Sequence, residues 1–241
     1  TFAIMKPKLS VNINKIATIR NARGGNHPNV LEAAIKCQQF GADGITVHPR
    51  PDERHITKKD AFDLKSVIKT EYNIEGYPSR DFINMVLEIK PDQVTLVPDG
   101  PNVITSCAGW DTIKNTSFLK DVIQQFKENN IRTSIFVDPE IKMIEGAQLC
   151  STDRIELYTE NYALGYNKNK KNAIEPYYKA AAKAYELNLG INAGHDLNLS
   201  NLGFFSKEIK GLAEVSIGHA IISDAIYFGL ENTIQMYKRL I

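Results

Sequence analysis

Eight short runs rich in β-branched residues recur along the chain and alternate with segments of helical character. The runs are KLSVNIN (8–14), DGITVH (43–48), YNIEGY (72–77), DQVTLVP (92–98), RTSIFVD (132–138), DRIELYT (153–159), LGINAGH (189–195) and EVSIGH (214–219). Runs of this kind are typical of strands, and their regular alternation with helices predicts a parallel sheet. Apolar residues in them are largely continuous, which indicates a sheet covered on both faces.

The segments between the runs carry helix signals. SRDFINMVLEIKP starts with Ser79, a good N-cap, and stops before Pro91. The last segment predicts one amphipathic helix that closes the fold, with an apolar face formed by Ile226, Leu230, Ile234, Tyr237 and Ile241.

Eight strand–helix units in 241 residues fit the size of a (β/α)₈ TIM barrel. We see no linker and no low-complexity segment, so we expect one catalytic domain over residues 1–241. A doubly wound open sheet is the alternative. It is disfavoured because neither GxGxxG nor GxxxxGK[ST] follows the first strand.

Composition narrows the class of partner. The chain has 29 Lys and Arg against 28 Asp and Glu, a net charge of +1, so we expect no nucleic-acid partner. No apolar run approaches the roughly 20 residues that cross a bilayer, so we expect no membrane association. Neither a signal-peptide pattern nor a CxxC pair is seen, and the cysteines Cys37, Cys107 and Cys150 are scattered. This pattern suits a protein of the reducing cytoplasm without a disulfide frame.

Titratable residues gather at the predicted strand ends. His48, His195 and His219 each end one of the runs, and Glu75 and Glu156 lie within apolar runs. A lone strand-end histidine is more often structural, but active sites of barrels form where the carboxyl ends of the strands converge. Burial would raise the pKa of a carboxyl towards the range useful for acid–base catalysis. For Glu156, a buried ion pair remains an equal alternative.

Two segments are suited to binding phosphate. Gly218 and His219 stand between the eighth strand and the last helix, where backbone N–H groups and a helix N-terminus favour an anion. ATIRNARGGN, after the first strand, has Arg20, Arg23 and two glycines, which predicts a mobile cationic loop. A solvated turn is the alternative for that loop.

Further features lie after strands two, four and five. Arg50, Arg54 and His55 predict another cationic edge. The loop from Asp99 to Asp111 is long for a barrel, which is typical of a lid. Asp138, in DPE, is expected to cap the following helix.

Some chemistries are disfavoured by what the pattern lacks. No lysine lies within runs two to eight, which argues against a Schiff-base aldolase, with Lys15 the nearest candidate. The first run has no HxH pair, so a two-metal hydrolase is also disfavoured. A single metal held by His48, His195 and His219 stays open as a minor alternative, and we expect no metal.

Several long motifs, in order over nearly the whole chain, carry a resemblance. SVNINKIATIRNARGGN, GADGITVHPRPDERHI, NIEGYPS, VTLVPD, INAGH and SIGHAII together resemble the pyridoxine 5′-phosphate synthase family of vitamin B6 biosynthesis. The resemblance implies a TIM barrel that condenses 1-deoxy-D-xylulose 5-phosphate with 3-amino-2-oxopropyl phosphate. The products are pyridoxine 5′-phosphate, phosphate and water. It also implies no metal or organic cofactor and a cytoplasmic homo-octamer.

The resemblance implies a role for each matching residue. His48 and Glu75 would accept protons, His195 would donate one, and Glu156 would stabilise charged intermediates. The expected contacts of the amino-ketone phosphate are Asn12, Arg23, Gly218 and His219. Those of deoxyxylulose phosphate are Arg50, His55 and Thr105.

Three stretches of the chain depart from the family pattern. Asn14 and Lys15 stand where NIDH has an acid and a histidine, Asp196 replaces a glycine, and YTEN replaces an HTG-like segment. Asn14 and Lys15 could still contact the sugar phosphate, whereas Asp196 offers a backbone N–H or a carboxylate that would repel phosphate. We favour a subgroup with a repacked site over an altered substrate preference. Another phosphosugar barrel enzyme and a catalytically silent metabolite-binding barrel remain competing functions.

Overall fold

The computed structural model describes residues 6–99 and 108–241. Its strands are β1 (Lys8–Asn12), β2 (Gly44–Val47), β3 (Glu71–Gly76), β4 (Gln93–Leu96), β5 (Arg132–Val137), β6 (Arg154–Tyr158), β7 (Gly190–Gly194) and β8 (Leu212–Ile217). They pair in parallel in chain order, and β8 pairs with β1 to close the barrel. The predicted (β/α)₈ barrel is confirmed. That residues 1–241 form one domain stays a prediction.

Helices of the described residues surround the barrel. They are α1 (Asn14–Arg23), α2 (Val30–Gln39), α3 (Lys58–Val67), α4 (Arg80–Ile89), α5 (Thr116–Glu128), α6 (Ile141–Leu149), α7 (Glu160–Glu186), α8 (Leu202–Glu208), α9 (His219–Phe228) and α10 (Leu230–Lys238). Ser79 caps α4 as predicted, since its side chain accepts a hydrogen bond from the Phe82 amide. None of the helices in these ranges is both long and apolar enough to cross a membrane.

The expected single closing helix is wrong. Gly229 has a φ of 76° and separates α9 from α10, a backbone conformation that glycine adopts without steric cost. As a result Ile226 does not share the buried face of Ile234. Its exposure is 73%, whereas that of Ile234 is 0%.

The barrel interior is polar at its amino-terminal end. Arg132 forms an ion pair with Glu71 and also donates to Gln93 at 2.9 Å. On the next strand, Nη1 of Arg154 lies 3.9 Å from Oε2 of Glu214. These pairs offset the cost of burying charge, while the outward-facing strand residues pack under the helices. The continuous apolar pattern of the strands is therefore interrupted on the inner face.

Asp138 does not cap α6. Its Oδ2 accepts a hydrogen bond from the Gly109 amide at 2.9 Å, and α6 begins only at Ile141. A Cβ atom at position 109 would lie 2.3 Å from the Asp138 backbone nitrogen, so only glycine fits this approach. Asp138 thus fixes the chain that returns from the β4–α5 connection against β5, and the predicted cap is wrong.

Candidate active site

His48 and Glu75 come together at the carboxyl ends of β2 and β3. Nδ1 of His48 lies 4.0 Å from Oε2 of Glu75, and the two side chains are 9% and 13% exposed. Parallel pairing of β2 with β3 places Val47 beside Ile74, so the residues that follow are neighbours.

Burial moves the pKa values of this pair in opposite directions. The His48 pKa falls well below its usual value because of burial and then the positive charges of Arg50, His55 and Arg54. The Glu75 pKa rises to about 8, first through burial and then through the negative charge of Asp99. Near neutral pH the imidazole is therefore a base and the carboxyl holds a proton.

Glu156 lies deeper in the same mouth. It is 3% exposed, and its Oε1 lies against Gly194, where an added Cβ would come within 2.2 Å. Its Oε2 is buried without a hydrogen-bond partner among the described residues. Burial, and then the charge of Glu75, raise its pKa well above the ordinary value. Within the described chain no cation pairs with it, so the ion-pair alternative is not what these residues show.

Asn12 and Asn14 connect the end of β1 to both catalytic candidates. Asn12 donates from Nδ2 to Oε2 of Glu75 at 3.4 Å, and its Oδ1 accepts from the Asn14 amide at 3.0 Å. Oδ1 of Asn14 accepts from the His48 backbone amide at 2.9 Å. An amide side chain at position 14 therefore fixes the chain that carries His48.

The edge after β2 is less positive than the sequence predicts, because Arg50 is paired with an acid and His55 is neutral. Nη2 of Arg50 bonds Oδ2 of Asp99 at 2.9 Å, with both side chains buried. His55 accepts from the Ile56 amide at Nδ1, and burial, followed by the charges of Arg50 and Lys15, lowers its pKa to about 4. His55 is thus a neutral donor at Nε2, and the positive charge comes from the arginine and lysine side chains.

A cavity of about 320 Å³ opens beside this edge. It is lined by His48, Pro49, Arg50, Pro51, Lys58, Tyr77, Ser79, Asp81, Phe82, Met85 and Asp99. The lining combines polar and charged side chains, among them the base candidate His48, with apolar ones such as Phe82 and Met85. Such a cavity suits a small phosphorylated carbon chain.

His195 follows β7 and contacts Asp196, the next residue, and Tyr158 at the end of β6. Its Nδ1 lies 2.6 Å from Oδ2 of Asp196. The edge of its ring meets Tyr158, with ring centroids 5.0 Å apart and planes at 80°. Because Glu156 lies against Gly194, the residue before His195, the histidine is at the same mouth as the buried carboxyl.

Gly218 and His219 form the start of α9, next to the end of β1. A Cβ atom at position 218 would lie 3.0 Å from both Cβ and O of Asn12. Gly218 is the N-cap of α9 and has no side chain that could accept a hydrogen bond from the first-turn amides. The first-turn amides and the helix dipole therefore favour an anion at this end of the strand.

The two arginines of the first βα segment differ in environment. Arg20 binds Asp60 through two bonds of 2.6 and 2.8 Å and donates to the His55 carbonyl at 3.1 Å. It is buried, so the predicted mobile cationic loop is wrong at this position, and the segment is the end of α1. Arg23 is exposed at the last residue of α1, about 13 Å along the helix from Asn14. The described contacts do not bring it to Gly218. Thr105 lies outside the described residues.

No cluster of three or more histidine, cysteine or acidic side chains in residues 6–99 and 108–241 is arranged to hold a metal ion. His195 instead contacts Asp196, and His48 contacts Glu75.

Comparison with known proteins identifies the family. Residues 9–241 match the family described as "Pyridoxal phosphate biosynthesis protein PdxJ". The chain belongs to the PdxJ family. Pyridoxine 5′-phosphate synthase of Flavobacterium johnsoniae is 65% identical over 96% of this chain and 98% of its own length. The synthase of Christiangramia forsetii is 63% identical over 97% and 99%. PdxJ membership confirms the expectation of an enzyme that makes pyridoxine 5′-phosphate.

Solved structures show the same fold in distant proteins. Tryptophan synthase subunit alpha from Campylobacter jejuni has a TM-score of 0.65 at 12% identity, covering 100% of this chain and 97% of its own. Phosphoribosylanthranilate isomerase from Thermotoga maritima has a TM-score of 0.60 at 14% identity, covering 97% of both chains. At these identities the PdxJ chain shares with them the barrel fold.

Several residues of the PdxJ site were not singled out by sequence reasoning. Asp99 pairs with Arg50 and raises the pKa of Glu75, and Ser216 bonds the Glu75 carboxyl from β8. A signal existed for Asp99, which directly follows the fourth run. Ser216 lies within a run and gave none, since its inward direction depends on the register of the closed barrel.

Proposed function

We propose that this chain condenses 1-deoxy-D-xylulose 5-phosphate with 3-amino-2-oxopropyl phosphate, by general acid–base catalysis at the barrel mouth. The observation that carries the proposal is the buried His48–Glu75 pair, whose side chains lie 4.0 Å apart. Burial lowers the pKa of His48 and raises that of Glu75. The enzyme acts in the cytoplasm as a single-domain homo-octamer, needs no cofactor and binds two phosphorylated small molecules.

Proton transfer is assigned to three side chains. The substrate amine attacks the ketone of its partner, so the imine forms between substrates and requires no enzyme lysine. Neutral His48 accepts a proton from a carbon next to the carbonyl or imine, and Glu75 accepts a further one in the molecules where it is ionised, a fraction that grows towards its pKa of about 8. His195 donates a proton to the departing oxygen on the other side of the mouth.

Glu156 acts on charge in the intermediates. Its unpartnered Oε2 is buried, and burial raises its pKa, which favours the neutral carboxylic acid over the carboxylate. A neutral acid donates a hydrogen bond to a developing oxyanion and, once ionised, stabilises a cationic imine. Its depth in a water-poor mouth strengthens either interaction.

Two anion regions hold the two phosphates. Lys15, Arg50 and His55 bind deoxyxylulose phosphate together with Asn14 and with Thr105 of the long loop. The α9 N-terminus at Gly218 and His219 binds the amino-ketone phosphate, with Asn12, Arg23 and the backbone N–H of Asp196 as the other assigned contacts. Holding both substrates at one mouth turns a bimolecular step into a unimolecular one, worth several kcal/mol.

The test is incubation of the purified protein with both substrates while the pyridinol chromophore and released phosphate are recorded together. We expect both signals, in equal amounts, only when both substrates are present. Conversion of a single phosphosugar would favour another barrel enzyme, and binding without turnover would favour the silent barrel. Either outcome overturns the proposal.

A further inference from the structure

His195 and Asp196 make a short contact that no assigned role explains. Nδ1 of His195 and Oδ2 of Asp196 are 2.6 Å apart. This bond is the largest cause that lowers the pKa of Asp196, with the charges of His195 and His219 adding to it. An ionised carboxylate only accepts hydrogen bonds, so Nδ1 of the imidazole is the donor.

The backbone holds both residues in an uncommon conformation. His195 has a φ of 77° and Asp196 a φ of 55°, so two consecutive residues lie in the left-handed region. The hydroxyl of Thr159 donates to the carbonyls of Gly194, at 2.9 Å, and His195. Nδ2 of Asn201 donates to the Asp196 carbonyl at 3.2 Å. In a strand, adjacent side chains point to opposite faces, whereas this anchored turn brings them together.

The ring is fixed on a second side. Tyr158 meets the His195 ring edge-on at 5.0 Å, and its own hydroxyl donates to Oε2 of Glu160 at 2.5 Å. A carboxylate on Nδ1 and an aromatic ring together fix the orientation of the imidazole, and Nε2 is the ring's other proton-exchanging nitrogen.

We propose that Asp196 is a positioning residue: its carboxylate accepts the Nδ1–H of His195 and stabilises the imidazolium, whose Nε2–H gives its proton to the substrate oxygen and leaves the neutral, Nδ1-protonated ring. The inference rests on the proposed function for the role of His195. It assigns the Asp196 carboxylate to the imidazole in place of the substrate phosphate, which resolves the repulsion that a free carboxylate would cause there. The logic is that of a carboxylate–histidine pair, in which the acid selects the tautomer.

The test compares Asp196→Asn and Asp196→Gly with the wild type. Asparagine and glycine both accept a φ near 55°, so neither change should disturb the turn. We expect kcat to fall about 10- to 100-fold, with the KM of each substrate within about twofold. Asp121→Asn, on the exposed face of α5, is the matched control and should keep the wild-type kcat.

A second measurement does not depend on turnover. Solid-state ¹⁵N NMR of ligand-free protein labelled at the histidine rings reports which nitrogen carries the proton, and His195→Gln identifies the signals. We expect Nδ1 protonated in the wild type and a shift towards the Nε2-protonated tautomer in Asp196→Gly.

Each other outcome overturns the inference. An unchanged tautomer, an unchanged kcat, or a rise in KM with kcat retained would give Asp196 a turn-forming or substrate-binding role instead. If the wild type makes no pyridinol product, the proposed function fails, yet the ¹⁵N signals still decide whether Asp196 positions the ring.

Discussion

Nδ1 of His48 and Oε2 of Glu75 lie 4.0 Å apart at the ends of two adjacent parallel strands, both largely shielded from solvent. Asn12 and Asn14 bond this pair from β1, so its separation is set by three strands. Because burial favours the neutral form of each group, the pair holds one proton near neutral pH.

Glu75→Gln should abolish most turnover while leaving phosphate binding largely intact. The amide keeps the shape of the carboxyl but cannot accept the proton, and a general base contributes about 10²- to 10⁴-fold. The chromophore assay measures the loss in kcat, and equilibrium binding of each substrate shows whether phosphate binding is retained. Glu88→Gln, on the exposed face of α4, is the control. Normal turnover by Glu75→Gln would show that another group is the base.

Activity should rise with pH through the range where Glu75 ionises. The pKa of this carboxyl in the free protein is raised to about 8, so kcat/KM, which reports the free enzyme, should increase towards that pH. A profile already flat from pH 6 to pH 8 would contradict the assignment of Glu75 as an acceptor.

The same shift predicts a pH dependence of stability. The pKa of Glu75 is higher in the folded chain, about 8, than its ordinary 4.5, so between these values the native state binds more protons than the unfolded state. The free energy of unfolding should therefore decrease as pH rises through this window, by on the order of a few kcal/mol. Urea denaturation at pH 5 and pH 8, at one protein concentration, should show a smaller decrease for Glu75→Gln. An equal decrease in the free energy of unfolding of both proteins would argue against a raised pKa of Glu75 in the folded chain.

Arg20→Met should destabilise the fold, although Arg20 and Arg23 look alike in the sequence. Methionine leaves Asp60 buried without its cation, which costs about 3–5 kcal/mol. Arg23→Ala, at an exposed position, should leave the free energy of unfolding unchanged and raise the KM for the amino-ketone phosphate. Urea denaturation and steady-state kinetics separate the two arginines. If Arg23→Ala were destabilised and Arg20→Met only raised the KM, then Arg23 would be the structural arginine and Arg20 the phosphate ligand.

Gly218→Ala should impair the α9 phosphate region. The new methyl group would lie 3.0 Å from the backbone oxygen of Asn12, so this backbone must give by a few tenths of an ångström, at a cost of about 1–3 kcal/mol. We expect weaker binding of the amino-ketone phosphate by calorimetry. Gly203→Ala is the control, because the added methyl would meet the flexible end of the Leu240 side chain at 3.3 Å and its Cβ at an ordinary 3.9 Å. Unchanged binding in Gly218→Ala would place this phosphate elsewhere.

Sequence reasoning reached the barrel and most of the mouth because both depend on local patterns. β-Branched runs predict strands, and their parallel order brings His48, Glu75 and Glu156 to one end without knowledge of any distance. The apolar residues on either side of these side chains indicate that they are buried in the barrel mouth.

What the tertiary structure decided is which distant group each polar side chain meets. Arg20 and Arg23 differ only because α3 brings Asp60, 40 residues later, to one of them. Asp138 bonds Gly109 across a connection instead of capping α6, and Asp196 turns to His195 because Thr159 and Asn201 hold a left-handed turn. Local periodicity determines which face of an element is buried. The partner opposite that face comes from another part of the chain, and only closure of the barrel sets that contact.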